Sequence, residues 1–519
     1  MRSPRNRALV LLLLEAVVLF YILRPMLWSS YSGDDTWLSQ GPMKRALTGD
    51  SVWDSIGDWI RNWANWHGRF FPMAFAQAEL LFELVQTRAA YKVVQVVGAM
   101  VAWGSVLFFV RALTRSWDYT VITGAALLFF FQFRFFHDPI LQFFLHQPVL
   151  VILTFLSLGL VVLAMRATST RAHRWLLVAA SLLWIWAMLT YETTYVLVVV
   201  PLGFIAWLGT AGRRWLGIAA FILPVIVLSV VVVVLRSRIQ TSGPSYTMNL
   251  DPAEVAPTFV YQLTGIVPFA YHVLSRQQGL PGLFSGWSIA GEWDLLALAC
   301  SAGIAYLLLR WVRPPILERR ISWLLLWVGA WFVLIPTATI AVTRRWQMGE
   351  VAWGLPYVSV FFSGIGLALV LLFGFDRLRA ARARASISGR ARRTRKALVP
   401  AIAGVFGLLL VLGPQLIQDT NRWVVDMYSP RRVEREAFVG QVRQGVFDTV
   451  PPGSVVIADR AGERRVFNGA FVAWYGGPEH LRFVTPTDPV ASLCGEEETC
   501  FRYAPDGMGG GEVRPYPGS

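Results

Sequence analysis

Two adjacent carboxylates, Asp34 and Asp35, follow shortly after the first long apolar run of the chain. Ionisable groups are costly to place in a membrane bundle, and those found there usually have a function. A well-placed carboxylate can take the proton of a hydroxyl group as that hydroxyl attacks, which accelerates a reaction about 10²–10⁴-fold. Asp34 and Asp35 are therefore the candidate catalytic residues.

A second group of polar residues falls on the same predicted face of the membrane as this pair. An arginine on the outer face runs against the usual distribution of positive charge, so each one needs an anionic partner. Phospholipid headgroups can supply that partner, but several arginines with acids among them favour a dedicated phosphate site. The candidate substrate-binding residues are His67, Arg69, Arg134, His137, Asp138, Tyr191, Glu192, Arg236, Arg238, Arg344 and Arg345.

The composition indicates which elements must position these residues. Of the 519 residues, 55% are hydrophobic and only 15% are charged, and the mean hydropathy is +0.50. This composition is typical of a polytopic membrane protein and not of a soluble domain. The formal net charge of +15 arises mostly in short loops between apolar runs. It therefore reflects membrane topology, and we expect no nucleic-acid partner.

Apolar runs of about 20 residues, which are long enough to cross a bilayer, predict about eleven transmembrane helices. The first covers residues 8–27, and the others centre near Val101, Ala126, Leu153, Leu182, Val199, Ile226, Ile304, Val328, Leu367 and Leu408. Arginines precede the first run and recur in alternate loops, including 377–396, which predicts a cytoplasmic N-terminus. No Ala-x-Ala-like site ends the first run, so we expect a retained helix and not a cleaved signal peptide.

The outer face of this multi-pass cell-membrane (inner or plasma membrane) protein then carries the long loops 29–92 and 236–293. In the first loop, apolar residues recur every three or four positions between Trp53 and Trp66. This spacing predicts an amphipathic helix on the membrane surface, which is either a plain anchor or a roof that positions substrate. Gly68 then allows a turn that brings His67 and Arg69 to the same face.

The tail from residue 418 has the character of a soluble domain. Short apolar runs at 454–458 and 482–484 predict strands, and a helical stretch at 433–447 precedes them. The fold class is therefore mainly α: a polytopic helical bundle (1–417) with a small extracytoplasmic α/β domain (418–519). An exported tail permits a disulfide between Cys494 and Cys500, whereas Cys300 lies within a span.

Sugar transfer from a polyprenyl phosphate would use such a set of residues. The acceptor hydroxyl needs a base, and arginines stabilise the departing phosphate. A nucleotide sugar is a poor fit as donor, because no Gly-rich phosphate loop is present and the carboxylates face away from the cytoplasm.

The acidic pair after the first span, the helix at 53–66 and the outer residues Arg134, His137, Asp138 and Glu192 resemble the GT-C class of membrane glycosyltransferases. Members of that class have many transmembrane helices, interfacial helices in the first outer loop and often a soluble C-terminal domain. The resemblance covers the architecture of the whole chain, but its only short motif is the acidic pair.

The resemblance implies a polyprenyl-phosphate-linked sugar donor, with Asp34 as the general base and Asp35 as a residue that orients the base or the acceptor. The pair is Asp-Asp here and Asp-Glu in some branches, so the branch, the sugar and the glycan, lipid or protein acceptor stay open. Some relatives use a divalent metal, which Asp34, Asp35, His137 and Asp138 could bind. We expect no metal or other cofactor.

Two other classes of function fit parts of the sequence. A transporter or lipid-carrier flippase would require ionisable residues near the middle of the bilayer and interrupted helices, whereas the predicted spans carry little charge in their middles. A non-catalytic assembly protein of the cell envelope would share the fold without the chemistry. The glycosyltransferase is the function that we predict.

Overall fold

The computed structural model describes residues 3–134, 137–238, 247–268, 292–385, 392–458, 472–484, 500–505 and 511–516. Its helices are α1 Pro4–Leu23, α2 Asp34–Leu38, α3 Gly41–Thr48, α4 Val52–His67, α5 Pro72–Leu84, α6 Arg88–Thr114, α7 Trp117–Leu127, α8 Gln147–Arg166, α9 Thr170–Thr190, α10 Thr193–Val196, α11 Val199–Leu208, α12 Ala211–Arg238, α13 Pro252–Thr264, α14 Glu292–Trp311, α15 Arg319–Ala341, α16 Val360–Ala385 and α17 Arg392–Arg443. The strands are β1 Val455–Ala458, β2 Arg482–Val484, β3 Cys500–Pro505 and β4 Gly511–Pro515.

Eight helices in the described part of the chain are long and apolar enough to cross a membrane. They cover eight of the predicted spans: the first run and those centred near Val101, Leu153, Leu182, Ile226, Ile304, Val328 and Leu367. The predicted spans near Ala126 and Val199 correspond to shorter apolar helices at 117–130 and 193–208, and Leu408 lies within the 52-residue helix α17. The chain is a mainly α, multi-pass membrane protein, as predicted.

The chain divides into two compact units, and the first contains 1–27, 60–75 and 92–424. Within it, α15 and α16 approach closely where Gly329 faces Gly366, and a Cβ on either glycine would lie 2.7 Å from the backbone oxygen of the other. Asn421 of α17 donates to the carbonyls of Ile22 (2.8 Å) and Phe131 (3.1 Å) and accepts from the Phe133 amide. One buried amide thus satisfies backbone groups from separate segments, which fixes their positions.

The first helix also holds a buried acid, Glu15, that departs from the expectation of uncharged span interiors. Its side chain is fully buried, and among the described residues neither carboxyl oxygen has a hydrogen-bond partner. The Glu15 carboxyl fits beside α7 because Gly124, which it contacts, has no side chain. A buried acid in a membrane helix is costly and is a candidate functional group.

The second unit contains 28–59, 76–91 and 425–519. Its four-stranded sheet has the order β2-β1-β3-β4, with β1 parallel to both β2 and β3 and β4 antiparallel to β3. The core beside the sheet contains Phe447, Val456, Phe483 and Tyr503. The strands predicted at 454–458 and 482–484 are therefore confirmed, as is the small α/β fold. The helix predicted at 433–447 is the last part of α17, which ends at Arg443.

Short helices of the second unit meet at one buried carboxylate, Glu79 of α5. It is ion-paired with Arg45 of α3, and it accepts hydrogen bonds from Ser55 (3.1 Å) and Trp59 (2.9 Å) of α4. Arg45 also pairs with Glu83, which is half exposed. Because a buried ion is tolerated only when it is paired and hydrogen-bonded, Glu79 fixes how α3, α4 and α5 pack.

Candidate functional site

The acidic pair begins the short helix α2 and presents two different environments. Gly33 precedes it with φ +60°, a backbone conformation that glycine adopts without strain. Asp34 is exposed, whereas Asp35 has only 1% of its surface accessible. One carboxylate is therefore open to a reactant while its neighbour is held inside the second unit.

An aromatic cluster lies just before the pair in the same unit. The Tyr31 ring is 5.9 Å from that of Phe82 and 5.4 Å from that of Tyr91, measured between centroids. The guanidinium carbon of Arg435 lies 4.5 Å from the Tyr31 centroid, within the range of a cation–π contact. The pKa of Tyr31 is raised to about 12, mainly by burial; Arg435 opposes the rise, Asp35 contributes to it, and Arg88 opposes it.

Arginines of α17 and α6 hold the segment that leads to the pair. Arg432 donates to the carbonyl of Trp28 (3.0 Å), and Arg88 donates to that of Ser29 (3.1 Å). Arg88 also pairs with Glu436 at 3.1 Å. Burial lowers the pKa of Arg435, against the opposing effect of Tyr31. Sequence reasoning did not select these residues, because nothing local connects positions some 400 residues apart.

In the first unit, Arg69 is the centre of a second group. The turn predicted at Gly68 is confirmed by its φ of +59°. Arg69 Nε is 3.1 Å from a carboxylate oxygen of Glu192. The guanidinium carbon of Arg69 is 4.6 Å from the ring centroid of Phe71 and 5.8 Å from that of Tyr191. These contacts fix the orientation of the cation, and they bring together the three predicted residues Arg69, Tyr191 and Glu192.

Burial and the charge of Arg69 lower the pKa of two histidines. Burial lowers the pKa of His67, and Arg69 and Arg345 lower it further. Burial and then Arg69 lower the pKa of His146 to about 4. Both imidazoles are therefore neutral at pH 7, so the positive charge of this group comes from arginine. Sequence reasoning missed His146, which precedes the apolar helix α8 without any motif.

His137 and Arg345 share one carboxylate, Glu350. Arg345 Nε is 3.1 Å from Glu350, and His137 Nε2 is 3.6 Å from it. His137 has φ +52° and lies against the rings of Trp346 and Tyr357, at 5.6 and 5.0 Å between centroids. Burial lowers the pKa of His137 to about 4, and Arg345 adds to this effect. The sequence offered no signal for Glu350 beyond its place five residues after Arg345.

Arg134 and Asp138 stabilise their own loop. Asp138 is fully buried and accepts from the backbone amides of Arg134, Ile140 (2.8 Å) and Leu141. Burial raises its pKa to about 6, although these hydrogen bonds lower it. Arg134 donates to the carbonyl of Gly265 at 3.0 Å. The oxygens of Asp138 already accept these amides, so they are poor ligands for the divalent metal that the resemblance allowed.

The remaining predicted arginines lie at the ends of elements. Arg236 and Arg238 are exposed in the last turn of α12, and Arg236 Nε donates to the carbonyl of Gly68 at 3.4 Å. Arg344 is exposed, and its backbone amide donates to the carbonyl of Thr247 at 3.0 Å. Arg236 thus adjoins the turn that carries Arg69.

The described residues include candidate metal ligands and two of the three cysteines. Within the described ranges, no three His, Cys, Asp or Glu side chains are grouped so that they could hold a metal ion. Cys500 begins β3, while Cys300 is a free thiol. Cys494, the predicted partner of Cys500, lies outside the described residues, so the pairing stays a prediction.

Comparisons with protein families and with curated proteins find no match. Among solved structures, the chain is similar to ArnT from Cupriavidus metallidurans bound to undecaprenyl phosphate, with 14% identity, 95% of this chain and 93% of that chain covered, and a TM-score of 0.44. It is also similar to the Archaeoglobus fulgidus oligosaccharyltransferase tethered with an acceptor peptide, with 14% identity, 93% and 64% covered, and a TM-score of 0.37. At this level of similarity, function has to be inferred from the residues of the chain itself.

Proposed function

We propose that this protein is an integral membrane glycosyltransferase. It moves a sugar from a polyprenyl-phosphate donor to a cell-envelope glycan, lipid or protein acceptor on the extracytoplasmic face. The observation that carries the proposal is the difference between the paired carboxylates, since Asp34 is exposed and Asp35 is buried. A proton acceptor must be reachable by the acceptor hydroxyl, and Asp34 meets that requirement.

In the proposed reaction, the acceptor oxygen attacks the anomeric carbon of the donor sugar. The bond between that carbon and the phosphate oxygen breaks, and the polyprenyl phosphate leaves with the electron pair. Asp34 takes the proton of the acceptor hydroxyl. Asp35, held by its buried position, orients Asp34 or the acceptor.

The group around Arg69 supports recognition of the donor phosphate. Arg69 is fixed by Glu192 and by aromatic rings, so little side-chain freedom is lost when an anion binds. A cation about 4 Å from a phosphate contributes roughly 4 kcal/mol in a half-buried setting. Arg345 and Arg236 add positive charge, and the neutral histidines add none at pH 7.

Replacing Arg69 tests its proposed role in binding the donor phosphate. Arg69→Gln should raise the KM for a polyprenyl-phosphate sugar by about tenfold or more, because it removes a cation from the phosphate. Arg171→Gln, which changes an exposed arginine at the start of α9, is the matched control and should retain wild-type kinetics. Membranes containing each variant, assayed with labelled donor, give both constants. An unchanged KM in Arg69→Gln would remove Arg69 from the donor site.

One observation favours a transporter as the second candidate. Glu15 is a buried acid within α1, and its carboxyl has no hydrogen-bond partner among the residues described, which is a feature of proton-coupled carriers. A transporter would lose flux in reconstituted vesicles when Glu15 becomes Gln. A glycosyltransferase should keep its transfer activity in the same variant.

A further inference from the structure

The segment that carries the acidic pair is held by the end of α17, the helix that leads into the β-sheet of the second unit. Arg432 donates to Trp28, and Glu436 pairs with Arg88, which itself donates to Ser29. Arg432 therefore binds a backbone carbonyl of the segment directly, whereas Glu436 binds Arg88, which binds another. The segment therefore depends on partners some 400 residues away for its position.

Arg435 contacts Tyr31, which is nearer in sequence to the acidic pair than Trp28 and Ser29 are. Its guanidinium carbon is 4.5 Å from the ring centroid of Tyr31, and Tyr31 is 95% buried against Phe82 and Tyr91. The charge of Asp35 also acts on the Tyr31 hydroxyl. Tyr31 thus lies within the electrostatic reach of a cation from α17 and of the buried carboxylate.

We infer that Arg435 is a positioning residue for Asp34 and Asp35, and that it acts through Tyr31. This inference rests on the proposed function of the pair. The planar guanidinium holds the Tyr31 ring, and the ring fixes the backbone that turns at Gly33 into α2.

The effect of replacing Arg435 depends on the other charged and titratable groups around Tyr31. Asp35, Arg435, Tyr475 and Arg88 all act on Tyr31, and Glu436 acts on Arg435. Removing Arg435 leaves Arg88 as the remaining cation of this set. The Tyr31 ring then loses its contact with the Arg435 guanidinium, so the segment that leads to the acidic pair is held less firmly.

The test compares Arg435→Gln, Arg435→Lys and the control Arg514→Gln in the full chain. Arg514 is exposed in β4 and pairs with Glu512, far along the chain from the acidic pair. In Arg435→Gln we expect kcat to fall about 10–100-fold, because small misplacements of reacting groups slow a reaction to about this extent. The KM for the donor should be unchanged. Arg435→Lys, which retains the positive charge, should keep more of the wild-type kcat than Arg435→Gln does.

Hydrogen exchange of residues 29–38 gives a readout that needs no activity. We expect exchange about tenfold faster in Arg435→Gln, with unchanged exchange in β1 and in Arg514→Gln. If Arg435→Gln does not fold, exchange is measured in Arg435→Lys instead, where the segment should exchange faster than in wild type but to a smaller degree. Wild-type exchange of this segment in the folded variants would overturn the inference. Wild-type membranes without transferase activity would instead contradict the proposed function, and the exchange result would still decide whether Arg435 positions the pair.

Discussion

At the residue scale, the arginines of the group around Arg69 and Arg345 are positively charged at pH 7, whereas its histidines are neutral. His67, His137 and His146 have lowered pKa values because burial and neighbouring arginines disfavour the imidazolium. An anionic ligand would therefore meet arginine charge that does not vary between pH 6 and 8. The histidines can still contribute hydrogen bonds as neutral rings.

His137 should make stability depend on pH in the acidic range. Its pKa in the folded protein is about 4, against about 6.5 for the unfolded chain. The unfolded form therefore binds more protons between these values, and the stability contributed by neutral His137 is lost as pH falls from about 6.5 to 4, on the order of a few kcal/mol. Thermal unfolding in detergent at pH 7 and pH 5 measures this loss.

His137→Asn should reduce that pH dependence, because asparagine tolerates the left-handed backbone and does not titrate. His480→Asn is the matched control, since His480 has φ +61° and is exposed. Asp138, whose pKa is raised to about 6, shifts stability in the opposite direction, but it is present in both variants. An equal pH dependence in His137→Asn and wild type would contradict a buried neutral imidazole.

At the element scale, Glu79 should contribute more to stability than Glu83, although both pair with Arg45. Glu79 is buried and also binds Ser55 and Trp59, whereas Glu83 is 46% exposed. Removing one partner of a buried pair costs about 3–5 kcal/mol, and an exposed pair contributes about 0–1 kcal/mol. Glu79→Ala should therefore lower the Tm far more than Glu83→Ala, and equal effects would refute the role of Glu79 at the α3–α5 junction.

The elements that sequence patterns predicted are those with local causes. The spacing between Trp53 and Trp66 predicted a helix, which the structure has as Val52–His67. Apolar runs of the right length likewise predicted the eight membrane-length helices of the described residues and the strands β1 and β2, but not β3 and β4. The pairings of Arg435 with Tyr31 and of Glu350 with His137 could not be predicted, because they join residues distant in sequence. Glu15 was overlooked because its apolar neighbours dominate the first run.

At the scale of the whole molecule, the orientation in the membrane remains a prediction from the distribution of arginine. A reporter that fluoresces only in the cytoplasm should stay dark when it is fused after Ser519, since the tail is expected outside. The same reporter fused after Arg384, in the predicted cytoplasmic loop region, should be bright. A bright fusion after Ser519 would put the tail in the cytoplasm and would remove the basis for a polyprenyl-linked donor.

Transfer of labelled sugar from a polyprenyl-phosphate donor, measured in membranes, tests the role of the acidic pair most directly. Asp34→Asn keeps the shape of the side chain but cannot accept a proton, so activity should fall at least about 10²-fold at unchanged expression. Asp35→Asn should reduce activity less if it only orients its neighbour. Loss of transfer in the double variant, with an intact fold, is the predicted result, and full wild-type activity in that variant would contradict the glycosyltransferase assignment.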